Sequence, residues 1–113
     1  MIELLNISNV NIVSANRRLI RAHGRMINNP DYAAFKKQLY FMTATCKPLT
    51  PPYAITIHVS CYCDADNVVK PVLDALQTKG VIDDDKNVVR LEIVKTPIQK
   101  GKPGSIIVWG KSC

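Results

Sequence analysis

The sequence lacks any apolar run long enough to cross a membrane. Its first residues also lack the basic stretch and apolar core of a secretory signal. These absences argue against a membrane partner and against an oxidising compartment. The expectation is therefore a cytoplasmic protein whose cysteines stay reduced.

A complete set of zinc ligands is also missing. The chain has four cysteines, of which Cys61 and Cys63 lie one residue apart in a strand-like run. A zinc site would need a second Cys or His pair at a suitable spacing, and none follows. We therefore expect Cys61 and Cys63 to be core thiols, with half of a zinc site as the alternative.

Acidic residues are scarce in the first half of the chain. Residues 1–50 carry seven Lys/Arg and only two acids, whereas six of the nine acids lie between Asp64 and Asp85. The net charge of +6 and a pI near 9.3 favour a polyanionic partner such as nucleic acid. From charge alone, a merely soluble basic protein is the alternative. A basic half followed by a focused acidic cluster is typical of a metal-dependent enzyme acting on nucleic acid.

The 113 residues are enough for one domain, 1–113, and too few for two. Periodicity predicts strands at 2–8, 53–63, 87–95 and 105–109, and helices at 29–45 and 67–80. Asn29, Pro30 and Asp31 are typical of a helix start, and Gly80 of a helix end. Residues 9–28 show no clean periodicity and are predicted to be a long basic loop.

The fold class is α+β (mixed α/β), with a mixed sheet of about four strands packed with two helices. The strand–helix–strand order allows a right-handed crossover that would make part of the sheet parallel.

Two aspartates follow the strongest predicted strand. If the strand geometry persists, Asp64 and Asp66 continue its polar face about 6.6 Å apart. Lys70 comes one helical turn after Asp66 and can face the same region. The Asp83–Asp85 turn is expected to return near the strand's end and to supply a third carboxylate.

Three carboxylates repel one another unless a cation neutralises them. Hard oxygen ligands match Mg²⁺ or Mn²⁺, and such a site suits phosphodiester hydrolysis. Structural interpretations remain open for each part: Asp66 or Asn67 as a helix cap, the Asp triplet as a solvated turn, and Lys70 with Asp74 as a weak surface pair.

The segment from Asp64 to Lys95, DADNVVKPVLDALQTKGVIDDDKNVVRLEIVK, closely resembles the signature of RusA-type Holliday-junction resolvases. That signature is Asp-x-Asp-Asn-x-x-Lys, a helix with Asp-Ala-Leu, a Gly, a paired Asp and a strand ending in Lys. The segments Ser14-Ala15-Asn16-Arg17 and Gly24-Arg25 are similar to the family's N-terminal segment. The resemblance implies one RusA-like endonuclease domain over 1–113 that acts as a homodimer.

The resemblance also implies an activity and a site. Such an enzyme cuts four-way junction DNA with Mg²⁺ or Mn²⁺ by paired symmetric nicks, in recombination and repair, and the family is common on phage and prophage genomes. Asp64, Asp66 and Asp85 would be the catalytic, metal-binding carboxylates, and Lys70 the essential lysine. Asn67 and Asp84 would support them, and the family spacing favours Asp85 over Asp84.

Junction recognition is expected to rest on shape and phosphate contacts. Candidate DNA-binding residues are Arg17, Arg18, Arg21, Arg25, Lys36, Lys37, Lys100 and Lys102. Two other functions stay open: a non-catalytic basic DNA-binding or architectural protein, and a metal-dependent nuclease for flaps or replication forks. Clustered acids near a polyanion argue against a pure binder.

Overall fold

The computed structural model describes all 113 residues and has two helices packed on a mixed sheet. The strand order is β1-β6-β4-β5, and β2 and β3 form a separate two-stranded sheet. The elements are β1 Ile2–Val10, β2 Leu19–Ala22, β3 Arg25–Asn28, α1 Pro30–Met42, β4 Tyr53–Cys61, α2 Asp66–Thr78, β5 Val88–Pro97 and β6 Gly104–Ser112. The predicted α+β class is confirmed. Neither helix has the length and apolar character needed to span a membrane.

Strand β4 is the centre of the sheet and has the alternation that its sequence predicts. Ile55, Ile57 and Val59 are buried in the core between the sheet and the helices. His58 points to the opposite face, where it is exposed and lies edge-on to Trp109 with ring centroids 4.8 Å apart. The alternation along this strand predicts that His58 is a partly exposed strand residue and not a general base, and its exposure on the strand is confirmed.

Helix α2 buries one apolar stripe against this core. Helical periodicity predicts a stripe of Val69, Val72, Leu73 and Leu76. In the structure Val68, Val72 and Leu76 are fully buried and Val69 is half-buried, so the stripe runs through Val68. The helix begins at Asp66, one residue earlier than predicted, and Pro71 lies inside it. Gly80 has a φ of 82° just after the helix, a left-handed conformation that favours glycine at this position.

The connection from β4 through α2 to β5 sets the geometry of the acidic cluster. Strands β4 and β5 are parallel, and Tyr53 at the start of β4 pairs with Val88 at the start of β5. The Tyr53 hydroxyl donates to Asp83 Oδ1 at 2.9 Å and accepts from the Asp83 N–H at 3.1 Å. The turn that follows α2 is thereby fastened to the start of β4.

The prediction of a long loop at residues 9–28 is wrong. The segment holds the end of β1, a 3₁₀ turn at Ala15–Arg17 and the β2–β3 hairpin. His23 and Gly24 form the two-residue turn with φ of 52° and 77°, as a type I′ turn requires. Both strands of the hairpin are largely exposed, so they have no apolar alternation for the sequence to reveal.

Several predicted ends also shift. Helix α1 stops at Met42 instead of Thr45, because Thr43 is already extended and forms a bridge with Leu5 of β1. Strands β1, β5 and β6 each extend beyond their predicted ends, since neighbouring strands continue to supply backbone partners.

The contact between Tyr53 and Asp83 predicts a stability difference. We expect Tyr53→Phe to lower the free energy of unfolding by about 1 kcal/mol, because the Asp83 carboxylate and N–H both lose a hydrogen-bond partner. Urea denaturation measures this change. Tyr40→Phe is the matched control, since the exposed Tyr40 hydroxyl makes no hydrogen bond within the chain. Equal stability of the two variants would contradict the prediction.

Candidate functional site

Asp64 and Asp66 lie where β4 gives way to α2. The strand ends at Cys61, where its pairing with β5 reaches Pro97, so the prediction that it runs to Cys63 is wrong. Asp64 therefore lies in the connection and Asp66 is the first residue of α2, not the next position on a strand face. Both side chains are exposed at the same end of the sheet.

These two carboxylates have no structural partner within the chain. The N-cap residue of α2 is Ala65, and the helix start has no side-chain cap hydrogen bond. The capping role considered for Asp66 or Asn67 is thus not what the structure contains. Neither Asp64 nor Asp66 belongs to either ion pair of the chain.

The aspartates of the downstream triplet differ from one another. Asp83 accepts hydrogen bonds from Tyr53, from Asn87 Nδ2 at 3.0 Å and from the Asp84 N–H at 2.7 Å. The bonds from Asn87 and Tyr53 lower the pKa of Asp83. Asp84 accepts from the Lys86 N–H at 3.0 Å and caps the 3₁₀ turn Asp85–Asn87. Asp85 uses only its backbone: its N–H donates to Gln77 at 3.3 Å and its carbonyl accepts from the Val88 N–H, so its carboxylate is the one left without a partner.

One chain does not bring the three unpartnered carboxylates together. Asp66 begins α2 and Asp85 follows its end, and the 13 residues of the helix span about 20 Å. The expected return of the Asp83–Asp85 turn to the end of β4 is wrong, because parallel pairing returns the chain to the start of β4. No three His, Cys, Asp or Glu side chains in the chain lie close enough to hold one metal ion.

Lys70 lies on α2 one turn after Asp66, but its charge is directed to Asp74. The Lys70 ammonium lies 3.6 Å from Asp74 Oδ1, and the Lys36 ammonium on α1 lies 3.4 Å from Asp74 Oδ2. The surface pair considered from the sequence is therefore present. Asp74 also links α1 to α2, a contact across 38 positions that spacing alone could not reveal.

The basic candidates do not form one stripe. Arg17, Lys100 and Lys102 line a cavity of about 420 Å³ beside the β4–α2 connection. Arg18 follows the 3₁₀ turn and donates to the Ala15 carbonyl at 3.2 Å. The remaining candidates are Arg21 on β2, Arg25 on β3, and Lys36 and Lys37 on α1.

Asn29 is a residue whose importance the sequence showed only in part. Its role as the cap of α1 is confirmed, with Oδ1 accepting from the Asp31 N–H at 3.0 Å. Asn29 is also buried and donates from Nδ2 to the Arg17 carbonyl at 2.7 Å. Only the tertiary fold brings these two positions together.

All four cysteines are free thiols. Burial, with the neighbouring Cys63, raises the pKa of Cys61 to about 11, so this thiol is protonated at neutral pH. Cys61 is buried as predicted, and Cys63 is half-buried against the core.

Comparison with protein families finds one match, to the family described as endodeoxyribonuclease RusA, over residues 10–108. The match covers nearly the whole chain and includes both ends of α2. The chain belongs to the RusA endodeoxyribonuclease family. Membership of this family makes an endodeoxyribonuclease the implied class of enzyme. Comparison with curated proteins found no significant match.

The hydrogen bonds to Asp83 predict a pH dependence. Because the native pKa of Asp83 lies below its ordinary value of 3.8, its bonds stabilise the fold above that pH and less as the pH falls. We expect the free energy of unfolding to fall more steeply in the wild type than in Asp83→Asn between about pH 6 and about pH 3. Urea denaturation across this range tests it, and parallel slopes would contradict it.

Proposed function

We propose that the chain is a structure-selective endodeoxyribonuclease that resolves four-way DNA junctions as a homodimer with Mg²⁺ or Mn²⁺. The observation that carries the proposal is that the carboxylates of Asp64, Asp66 and Asp85 are exposed and without internal partners, in a chain of the RusA family. The neighbouring Asp74, Asp83 and Asp84 are engaged in ion pairs or hydrogen bonds. The fold therefore leaves unused the three acids that the family pattern selects.

The donor set fits the proposed ion. Carboxylate oxygens are the ligands that Mg²⁺ and Mn²⁺ prefer, and the buried, protonated thiol of Cys61 does not compete. When bound, such an ion supplies a water of lowered pKa and neutralises the phosphate that is attacked. Asp64, Asp66 and Asp85 would hold it. Asp84 would support Asp85 by capping its turn, and Asn67 would support Asp66.

Lys70 is proposed to stabilise the charge that develops on the cleaved phosphate. Its side chain is 69% exposed and its bond to Asp74 is a surface ion pair, which contributes at most about 1 kcal/mol. A DNA phosphate can therefore replace Asp74 as the partner of the Lys70 ammonium. Asp74 then keeps Lys36 as its counter-ion.

A second copy of the chain is needed to assemble the site. Strand β5 is an edge strand, and it begins near Asp85 and ends at Pro97, which pairs with Cys61 close to Asp64. If two copies pair their β5 strands antiparallel about a two-fold axis, the start of one strand lies beside the end of the other. Asp85 of one copy would then approach the partner's Asp64 and Asp66.

The surface of β5 supports this pairing. Leu91 and Ile93 share the helix-covered face of the sheet with Ile55 and Ile57, yet they are 42% and 36% exposed. Val89, at the register irregularity where β5 begins, is 64% exposed. A long edge strand with exposed apolar side chains needs a cover, and a second copy supplies both strand pairing and apolar contact.

A two-fold dimer fits the proposed substrate. Two equivalent composite sites, related by the dimer axis, can cut two opposed strands of a junction that has approximate two-fold symmetry. Paired symmetric nicks follow from that geometry. The basic residues near each site would contact phosphates and not read a sequence.

The substrate is tested with a labelled four-way junction, a linear duplex and a flap, each with and without Mg²⁺. We expect paired nicks on the junction alone and only with metal. Asp66→Asn should abolish cleavage and leave junction binding intact, because it removes a metal ligand without disturbing a hydrogen bond or ion pair. Junction binding without cleavage by the wild type would favour an architectural protein, and preferential flap cleavage a nuclease of other specificity.

The composite site is tested by mixing inactive variants. Asp64→Asn and Asp85→Asn are co-refolded in equal amounts, so that half of the dimers are mixed. A site shared between copies leaves one intact site in each mixed dimer, and we expect about a quarter of the wild-type nicking sites to return. The restored activity should be single nicks, since the second site carries both changes.

The matched control is a mixture of Asp64→Asn with Asp66→Asn, whose changes lie at the same end of α2. It should restore nothing under any arrangement of the dimer. Thermal unfolding of each single variant without metal should match or exceed that of the wild type, because no internal bond is lost. If the first mixture stays inactive although mixed dimers are present, the shared site is wrong.

A further inference from the structure

The cavity beside the β4–α2 connection has the size of a small-ligand site. It measures about 420 Å³ and is formed by residues 11–14, the start of α1, residues 61–63 and the β5–β6 loop. Cys63 lines it, and Asp64 is the next residue of the chain. Whatever fills the cavity therefore lies next to the proposed metal ligands.

The lining has the charge and polarity for a nucleotide. Arg17, Lys100 and Lys102 face the cavity against a single carboxylate, Asp31, which leaves two net positive charges. Lys100 and Lys102 flank a turn in which the Lys102 N–H donates to the Gln99 carbonyl at 3.2 Å. Other parts of the wall are apolar, including Ile12 and Ile98. Such a wall accommodates a sugar and base, while the cations attract a phosphate.

The backbone at Arg17 is held in place by hydrogen bonds from the buried Asn29. The Asn29 N–H donates to the Arg18 carbonyl at 2.8 Å, and Asn29 Nδ2 donates to the Arg17 carbonyl. Asn29 is one of two buried polar residues in the chain, and the other, Thr43, bonds only within its own helix end. The buried Asn29 amide holds the turn that carries Arg17 against the start of α1. Because the turn is already ordered, less conformational entropy is lost when Arg17 binds a ligand.

We propose that this cavity binds the nucleotide adjacent to the cleaved phosphate, with Arg17 contacting the phosphate of that nucleotide. The proposal rests on the proposed function for its substrate and adds a nucleotide subsite to it. Asn29 is a positioning residue that acts through Arg17. Of the eight basic candidates, only Arg17, Lys100 and Lys102 belong to this subsite.

The subsite is first tested without DNA cleavage. Thymidine 3′,5′-bisphosphate is titrated into the metal-free protein, and binding is followed by calorimetry and by shifts of backbone amide resonances. We expect shifts at residues 11–17 and 98–104, and affinity about ten-fold or more lower in Arg17→Ala, because a charge-assisted hydrogen bond is lost. Lys47→Ala is the matched control, since Lys47 is exposed in the connection before β4, is not one of the eight basic candidates and does not line the cavity.

Asn29→Ser tests whether Asn29 positions Arg17, because this variant leaves the charge of Arg17 unchanged. Serine keeps the cap of α1 but cannot make the bond to the Arg17 carbonyl. We expect weaker bisphosphate binding in this variant and a smaller further loss when Arg17→Ala is added, because the two changes act on one contact. Fully additive losses would contradict the role of Asn29.

A second measurement places the subsite on the substrate. In one junction the phosphate next to the cleaved bond is replaced by a neutral methylphosphonate. Wild type and Lys47→Ala should cut it about ten-fold or more slowly than the unmodified junction, whereas Arg17→Ala should cut both at one reduced rate. Equal sensitivity of all three proteins would overturn the proposal.

The two proposals can fail separately. If the bisphosphate does not bind the wild type, or binds Arg17→Ala equally well, the nucleotide subsite is wrong whatever the junction assay gives. If the bisphosphate binds through Arg17 but no junction is cut, the subsite stands as a nucleotide site and the proposed resolvase activity fails.

Discussion

The parallel pairing of β4 with β5 is the constraint on which the site depends. Two neighbouring parallel strands start at the same end of a sheet, so the chain between them must travel back along the strands. Helix α2 makes this return with 13 residues, or about 20 Å. The helix holds Asp66 at one end and the turn before Asp85 at the other, and the bonds between Tyr53 and Asp83 fix the far end. A single chain therefore carries the two parts of the proposed metal site at opposite ends of a rigid element.

The same pairing leaves β5 at the edge of the sheet. The helices cover β4, but Leu91 and Ile93 continue its apolar face beyond that cover and remain partly exposed. One partner related by a two-fold axis would cover the exposed edge of β5. The same partner would bring the separated carboxylates together in one site. That coincidence is a physical reason to treat β5 as the dimer surface.

Much of the fold could be predicted from periodicity, and the errors have physical causes. The alternation in β4 and the stripe of α2 depend on burial in one core, and both were predicted except that Val68 and not Val69 belongs to the stripe. Two expectations from the sequence exclude each other. A parallel crossover between β4 and β5 puts the Asp83–Asp85 turn at the start of β4, whereas the turn was expected at the end of β4. Strand direction is set by tertiary packing, which spacing does not reveal. The hairpin around His23 and Gly24 was missed because exposed strands need no apolar pattern, and the contact from Asn29 to Arg17 was missed because it joins residues distant in sequence.

The divided site would give the proposed metal binding and dimer formation a common electrostatic basis. In one copy the carboxylates of Asp64 and Asp85 are exposed and lie at opposite ends of the helix, so their repulsion is screened by water. Bringing Asp85 against the partner's Asp64 and Asp66 removes that water and concentrates like charges, which opposes association unless a cation lies between them. A cation that binds only the assembled site must in turn favour the dimer, by the same free energy with which the dimer favours the cation. The divided arrangement would thus keep the separate chain without a complete metal site and produce two complete sites together, as a paired incision requires.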